Sequence, residues 1–354
     1  MCCWWCCRRC LECIHNIVPP LSLPFLRFSG LALPGGGGAA AAASPPVVSM
    51  ASISVPSRAP SAAEDAENIR KAVQGWGTDE KALIEILGHR TAAQRAEIAV
   101  AYEGLYNEPI IDRLHSELSG DFRSAMMLWT VDPAARDAKL AHKAMKKQGE
   151  RYVWVLIEVA CASAPDHLVA VRKAYREAYS ASLEEDFLVR LVSSYRYSGE
   201  LVDDELARAE AAELHDAVVA RKQPLHGDVV RVVSSRSKAQ LKATFERYRL
   251  DHGKAVDEVL EERRSDQLAA VLKTAVWCLT SPEKHFAEVI RSSIVGLGTD
   301  EESLTRAIVS RAEIDMKKVK EEYRARYRTT VTSDVNGDTS GYYNVILLTL
   351  VGPE

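Results

Sequence analysis

Apolar residues in the body of the chain recur three and four positions apart. Residues 82–87, with the sequence Ala-Leu-Ile-Glu-Ile-Leu, show this spacing, and polar breaks containing Ser, Thr and Gly separate such segments. This spacing places apolar side chains on one face of an α-helix. Strand-type alternation of apolar and polar residues is nearly absent. The pattern therefore predicts an all-α fold.

A longer period divides the body into four units. Four anchor positions lie 73, 73 and 75 residues apart: Arg90, Ser163, Arg236 and Arg311. A tyrosine follows each anchor by twelve residues: Tyr102, Tyr175, Tyr248 and Tyr323. Repetition at such a period indicates stacked helical units, and we expect these tyrosines to fill the core between helices.

We predict the boundaries of these units from the repetition. Residues 1–49 form a low-complexity extension, and the four units span 60–131, 132–204, 205–282 and 283–354. The completeness of the second unit stays open, because matching its Asp186 to Asp121 requires a deletion.

The first 49 residues differ in composition from the rest. Six of the eight cysteines lie within the first thirteen residues, and no acid occurs between Glu12 and Glu64. Three interpretations remain open: a targeting segment, a palmitoylated cysteine cluster, or a translated leader upstream of a start at Met50. We favour the leader, in which case residues 1–49 are absent from the mature protein. Only Cys161 and Cys278 lie in the body, which indicates a reduced, cytoplasmic environment.

Two segments share the pattern Gly-x-Gly-Thr-Asp, at 75–79 and 296–300. An acid lies thirty-nine residues after each threonine: Glu117 and Asp338. Glycine lets the chain turn tightly and direct successive carbonyls at one point, and Ca²⁺ takes six to eight oxygen ligands. The predicted ligands are Val73, Gly75, Gly77 and Glu117 in the first unit, and Ile294, Gly296, Gly298 and Asp338 in the fourth. One carboxylate and three carbonyls leave positions for water or an incoming anion.

Loop and acid are absent together from the two middle units. The corresponding segments are 147–150 (Lys-Gln-Gly-Glu) and 221–224 (Arg-Lys-Gln-Pro), and the position of the acid maps to Arg190 and Arg263. This joint absence indicates that loop and acid serve one function. Where the loop is present, Thr299 and Glu302 form a Ser/Thr-x-x-Glu pattern that predicts a capping box at a helix start.

Charge and hydropathy limit the partners. The formal net charge of -4 leaves no basic excess of the kind that binds nucleic acid phosphates, so no nucleic-acid partner is expected. The long uncharged stretch at 28–57 is too weakly apolar to predict a spanning helix. Any membrane contact should therefore be peripheral or anchored.

These units, loops and acids, with 337–343 (Gly-Asp-Thr-Ser-Gly-Tyr-Tyr), resemble the annexin family over nearly all of residues 60–354. Segments 279–284 and 311–316 are similar to its plant branch. The resemblance implies a curved disc of four five-helix repeats whose calcium loops dock on anionic phospholipid. Lipid oxygens would complete the shell of each ion.

The resemblance also implies a role and its residues. Membrane trafficking, calcium signalling or stress response is expected, with the protein cytoplasmic and peripheral to membranes when calcium rises, and with possible self-association there. Trp76 and Leu297, between the paired glycines, would contact the membrane; for Trp76 the alternative is packing on its own loop.

The plant resemblance also implies other functions. An alternative is a haem-dependent peroxidase-like stress enzyme using His89, whereas a histidine at a helix end is the simpler interpretation. Cys161 and Cys278 match a cysteine pair discussed as a redox site, or fill the core. The actin motif Ile-Arg-Ile is not matched by 230–232 (Val-Arg-Val), which leaves actin binding uncertain. No enzyme activity is predicted.

Overall fold

A computed structural model describes residues 49–354, except for residues 76, 148, 181–198, 225, 264–265 and 297. All regular elements in these described residues are helical, which confirms the predicted all-α class. The helices fall in chain order into four groups, here called sets 1 to 4. Residues 1–48, with the cysteine cluster, lie outside the described part of the chain.

Set 1 comprises α1 (Ala62–Ala72), α2 (Glu80–Leu87), α3 (Ala92–Tyr106), α4 (Ile110–Glu117) and α5 (Gly120–Thr130). Set 2 comprises α6 (Pro133–Met145), α7 (Glu150–Ile157) with a π-helical continuation at Glu158–Ala162, and α8 (Pro165–Tyr179). The rest of the second unit falls largely in residues 181–198, so its completeness lies outside the described residues.

Set 3 comprises α9 (Asp204–His215) with a π-helical continuation at Asp216–Ala220, α10 (Gly227–Ser235), α11 (Lys238–His252), α12 (Val256–Glu261) and α13 (Gln267–Thr280). Set 4 comprises α14 (Pro282–Ile294), α15 (Glu301–Arg311), α16 (Met316–Tyr327), α17 (Val331–Asp338) and α18 (Gly341–Val351). Sets 1 and 4 each contain five helices, and the last two have 8 and 11 residues in both sets.

Side-chain caps define several helix starts. Thr91 accepts a hydrogen bond from the backbone N–H of Gln94, whose side chain in turn accepts from the Thr91 N–H. Ser61 and Glu64 form the same reciprocal pair at the start of α1. Each box satisfies two backbone donors that the helix leaves unpaired, which stabilises a helix start by about 1 kcal/mol.

Two apolar cores hold the helices together. Sets 1 and 4 share one core, in which Trp129, Phe286 and Leu304 are almost fully buried. Sets 2 and 3 share the other, which includes Val171 and Val229. Burial of each large apolar side chain contributes about 1.5–3 kcal/mol. The two sets that carry glycine loops are therefore fixed to each other through a common core.

The repeated tyrosines are core residues, as predicted. All four are at most 1% exposed: Tyr102, Tyr175, Tyr248 and Tyr323. Each phenol is also placed for polar contact; Arg70 donates to the Tyr102 hydroxyl at 3.2 Å, and His142 Nδ1 lies 2.9 Å from that of Tyr175. A buried tyrosine needs such a partner, which fixes its ring orientation.

Residues 49–61, here called the N-terminal segment, join sets 1 and 4. Ser52 is buried, and its backbone N–H donates to the Ala312 carbonyl at 2.8 Å. His89, at the end of α2, lies with Nδ1 2.7 Å from the Ser54 carbonyl. This extended segment therefore contacts both sets that share the first core.

A buried polar cluster lies where the two cores meet. Glu158, only 6% exposed, accepts from His285 Nε2 at 2.8 Å and pairs with Arg306. Burial lowers the pKa of His285 to about 3, so its imidazole is neutral and donates Nε2–H. Burial lowers the pKa of Arg306 to about 10, which keeps it charged at neutral pH. A cavity of about 750 Å³ adjoins this cluster and is also lined by Asp137 and His167.

This buried histidine predicts a loss of stability in acid. The folded pKa of His285 lies below the unfolded value of about 6.5, so protons bind the unfolded chain preferentially. The stability present above pH 6.5 should fall as the pH drops, with a slope from this group that approaches about 1.4 kcal/mol per pH unit. We expect His285→Gln, which keeps a donor for Glu158, to unfold in urea with a shallower pH dependence between pH 6.5 and 5. Equal slopes for both proteins would contradict this assignment.

Candidate metal centres

The two glycine loops share a hydrogen-bonding pattern and glycines with positive φ. Each is closed by one hydrogen bond, from the Asp79 N–H to the Ala72 carbonyl and from the Asp300 N–H to the Ser293 carbonyl, both at 2.8 Å. The four glycines have φ values in the range that favours glycine: Gly75 at 112°, Gly77 at 88°, Gly296 at 145° and Gly298 at 86°. A side chain at these positions would strain the backbone, so the loops depend on glycine.

The structure brings each loop into contact with its remote acid. Thr78 Oγ1 donates to Glu117 Oε2 at 3.3 Å. In set 4, Thr299 Oγ1 donates to Asp338 Oδ2 at 2.5 Å and to the Asp338 carbonyl at 3.3 Å. Both acids end a helix, Glu117 closing α4 and Asp338 closing α17. The end of the fourth helix therefore delivers its carboxylate to the loop between the first and second helices.

The predicted capping box at Thr299 is wrong. The capping residue of α15 is Asp300, whose Oδ1 accepts from the Ser303 N–H at 3.2 Å. Asp79 caps α2 in the same way, accepting from the Ala82 N–H at 2.9 Å. The threonine hydroxyl cannot cap the helix because it is directed at the remote acid.

Hydrogen bonds also set the charge of this cap. Burial alone would raise the pKa of Asp300, but hydrogen bonds from Ser303 and Arg151 lower it overall. The Arg151 guanidinium lies 3.1 Å from the Asp300 carboxylate, which connects α7 to the loop of set 4. Asp300 is therefore a charged structural residue beside the loop.

The oxygen donors of both loops suit a hard cation. The glycines are exposed, and the carbonyls of Gly75, Gly77, Gly296 and Gly298 accept no hydrogen bond from any residue that the structure describes. With the carbonyls of Val73 and Ile294 and the two acids, they offer the neutral and anionic oxygens that Ca²⁺ binds. Nowhere in the described part of 49–354 do three or more His, Cys, Asp or Glu side chains form a metal-holding group. A calcium site here would thus be built mainly from backbone oxygens.

The two loops differ in the side chain that lies four residues before the acid. In set 1, Arg113 Nη2 donates to the Val73 carbonyl at 2.8 Å and lies 3.0 Å from Glu117 Oε1. The position four residues before the acid in set 4 is Asp334, which pairs with Arg291 at 2.7 Å. Arg113 is not among the residues predicted from the sequence, although its spacing of four from Glu117 is the signal of an ion pair on a helix.

In set 3 a guanidinium stands where the acid is missing. Arg263 donates to the carbonyls of Val218 at 2.8 Å and Lys222 at 3.2 Å, and lies 3.1 Å from Asp266. The positively charged Arg263 side chain thus contacts two backbone carbonyls, those of Val218 and Lys222, in the segment that follows α9. The corresponding Arg190 of the second unit lies outside the described residues.

The remaining predicted residues have the following places. Trp76 and Leu297 lie outside the described residues, so their membrane contact stays a prediction. The second ring nitrogen of His89 lies 4.0 Å from Glu85, and the first binds the N-terminal segment, which gives this side chain a structural role. Arg231, in the segment compared with the actin motif, pairs with Glu210 at 3.1 Å.

The two body cysteines are both buried. Cys161 and Cys278 belong to the core of sets 2 and 3 and have 0% exposure. Burial raises the pKa of the Cys278 thiol well above its usual value, so this side chain is a protonated, apolar filler at neutral pH. A redox role for the pair stays a hypothesis.

Family comparison agrees with this architecture. The model of the Annexin family matches residues 64–129, 136–195 and 285–350. Annexin D3 from Arabidopsis thaliana is 44% identical over 321 residues, which cover 86% of this chain and all of the relative. Annexin-like protein RJ4 from Fragaria ananassa is 47% identical over 304 residues, covering 83% of this chain and 96% of the relative.

Comparison with solved structures also indicates the annexin fold. The structure of annexin III has a TM-score of 0.78 at 32% identity, covering 86% of this chain and 97% of that one. Calcium-bound annexin (Sm)1 has a TM-score of 0.72 at 30% identity, covering 83% and 90%. Annexins are known for calcium-dependent phospholipid binding. Among the described residues, each helix is too short or too polar to span a bilayer. The chain belongs to the annexin family and is similar to its plant members.

Proposed function

We propose that this annexin binds anionic phospholipid surfaces in response to calcium, through the loops 75–79 and 296–300. The observation that carries the proposal is the contact of each loop threonine with its remote acid, Thr78 with Glu117 and Thr299 with Asp338. Two separate pairs bring glycine-loop carbonyls and a carboxylate to one place. Because the loop glycines are exposed, this arrangement contributes little to core packing.

In each centre three carbonyls and one carboxylate would hold the ion. Val73, Gly75 and Gly77 act with Glu117, and the matching set 4 residues are Ile294, Gly296, Gly298 and Asp338. Bound calcium supplies a positive charge with coordination positions left for lipid phosphate or carboxylate oxygens. The chain itself carries a formal charge of -4, so its attraction to anionic lipid in the absence of calcium is small.

The scaffold keeps both loops in fixed positions. Because sets 1 and 4 share one apolar core, the helices that carry Glu117 and Asp338 cannot move independently of each other. Trp76 and Leu297, between the paired glycines, would enter the headgroup region when the loops meet a bilayer. We infer a peripheral membrane protein of the cytoplasm that acts in trafficking, calcium signalling or stress response.

The first prediction concerns the two acids. In Glu117→Gln with Asp338→Asn, each centre loses its only full negative charge, and binding to phosphatidylserine vesicles should require at least about tenfold more calcium. Sedimentation with vesicles across a calcium series measures the change. The matched control is Glu97→Gln with Glu321→Gln, two exposed acids on α3 and α16. The control should sediment as the wild type does, and an acid-loop variant that also does so would show that these acids are not ligands.

A second prediction concerns loop conformation. Gly298 has φ of 86° and open space around the place of a Cβ, so Gly298→Ala should cost about 1–2 kcal/mol from backbone strain alone. The variant should also need more calcium for vesicle binding, because the strained loop directs its carbonyls differently. Gly104→Ala, within α3 and equally open, should instead be neutral or stabilise by about 0.5–1 kcal/mol. Urea unfolding without calcium compares the two, and an unstrained Gly298→Ala protein would rule out the proposed loop geometry.

A further inference from the structure

One guanidinium engages two of the predicted ligands of set 1. Arg113 Nη2 lies 2.8 Å from the Val73 carbonyl oxygen and 3.0 Å from Glu117 Oε1. A positively charged nitrogen is thus held between a carbonyl and a carboxylate that would otherwise meet a metal ion. Calcium can take both oxygens only after this contact is broken.

The contact is strong enough to compete and weak enough to be displaced. The side chains of Arg113 and Glu117 are 27% and 24% exposed, so solvent screens the pair. Partly exposed ion pairs of this kind contribute little to stability, and the hydrogen bond from the guanidinium to the carbonyl adds to the contact. The guanidinium therefore lowers the occupancy of the centre by calcium without closing it.

Set 3 shows the same contact without the acid. Val218 directly follows Ala217, whose carbonyl accepts a hydrogen bond from the Gln223 N–H at 2.8 Å, just as Val73 follows Ala72 in the closed loop of set 1. Arg263 donates to this Val218 carbonyl at 2.8 Å. A guanidinium at the same backbone carbonyl in two sets indicates that this point attracts cations.

Among the described residues, set 4 has no guanidinium in this position. The residue at the position of Arg113 is Asp334, which accepts from Arg291 at 2.7 Å and from the Tyr323 hydroxyl at 2.7 Å. Asp338 forms no ion pair with any residue in the described part of the chain. Its carboxylate accepts from the Thr299 hydroxyl and from no other side chain that the structure describes, so a metal ion can share it.

We propose that Arg113 is an intramolecular competitor of calcium at the loop 75–79, so that the centre of set 4 fills at a lower calcium concentration than that of set 1. This inference rests on the proposed function of the two loops. It predicts attachment in two stages, first through 296–300 alone and then, at higher calcium, through both loops. Arg113 thereby sets the calcium concentration at which the second contact forms.

The test isolates the set 1 centre. Asp338→Asn weakens the set 4 centre, and Arg113→Gln is then added to that protein. The calcium concentration for half-maximal sedimentation with phosphatidylserine vesicles should fall roughly threefold to tenfold on addition of Arg113→Gln. Added to Glu117→Gln instead, the same substitution should change the midpoint little. Lys81→Ala, which removes an equal charge from the exposed start of α2, is the matched control and should also have little effect.

Melting in a chelator gives an independent readout. Without calcium, Arg113→Gln should lower the melting temperature slightly, because Val73 and Glu117 lose a partner, whereas saturating calcium should reverse the order. An unchanged midpoint in the Asp338→Asn background, or an equal fall from Lys81→Ala, would overturn the competition while the wild type still responds to calcium. A wild type that ignores calcium would overturn the proposed function and this inference with it.

Discussion

The hydrogen bond from a loop threonine to an acid thirty-nine residues away is the constraint on which the site depends. It joins the loop after the first helix of a set to the end of the fourth helix, and it occurs as Thr78 with Glu117 and as Thr299 with Asp338. The bond holds the carboxylate beside exposed glycine carbonyls before any ion arrives. Preorganisation of this kind reduces the ordering cost of binding, which matters where one carboxylate must suffice.

The shared core of sets 1 and 4 gives this local contact a larger meaning. Because the two loop-bearing sets pack on each other, both loops are held on one scaffold. If both loops bind calcium at a membrane, as proposed, their simultaneous engagement would strengthen attachment beyond the affinity of either loop. Side-chain charge then distinguishes the loops. In set 3 Arg263 stands at the position of the acid, and in set 1 Arg113 lies beside the acid. In set 4 the position of Arg113 is Asp334, which pairs with Arg291. On the proposed function, the loops would therefore differ in how readily they hold a cation.

Periodicity predicted the helices and the buried tyrosines, which depend on packing. The paired glycine and acid motifs predicted which loop contacts which carboxylate. The all-α class, the buried tyrosines and the loop-to-acid contact follow from repeated spacing, because each copy tests the other. The prediction of Thr299 as a helix cap is wrong because a local pattern cannot show that its hydroxyl faces a distant carboxylate. The contacts of Arg113 and Arg263 with loop carbonyls depend on where helix ends lie in space, which spacing does not encode. The unit boundaries and the membrane contacts of Trp76 and Leu297 stay predictions.

The most direct measurement is a crystal structure grown with calcium and a short-chain phosphatidylserine. We expect one ion in each glycine loop, bound by the loop carbonyls and by Glu117 or Asp338. A lipid oxygen should complete its coordination shell, and Arg113 should have moved away from Val73. A structure at saturating calcium in which both loops are empty, or in which the ions bind other residues, would contradict this expectation.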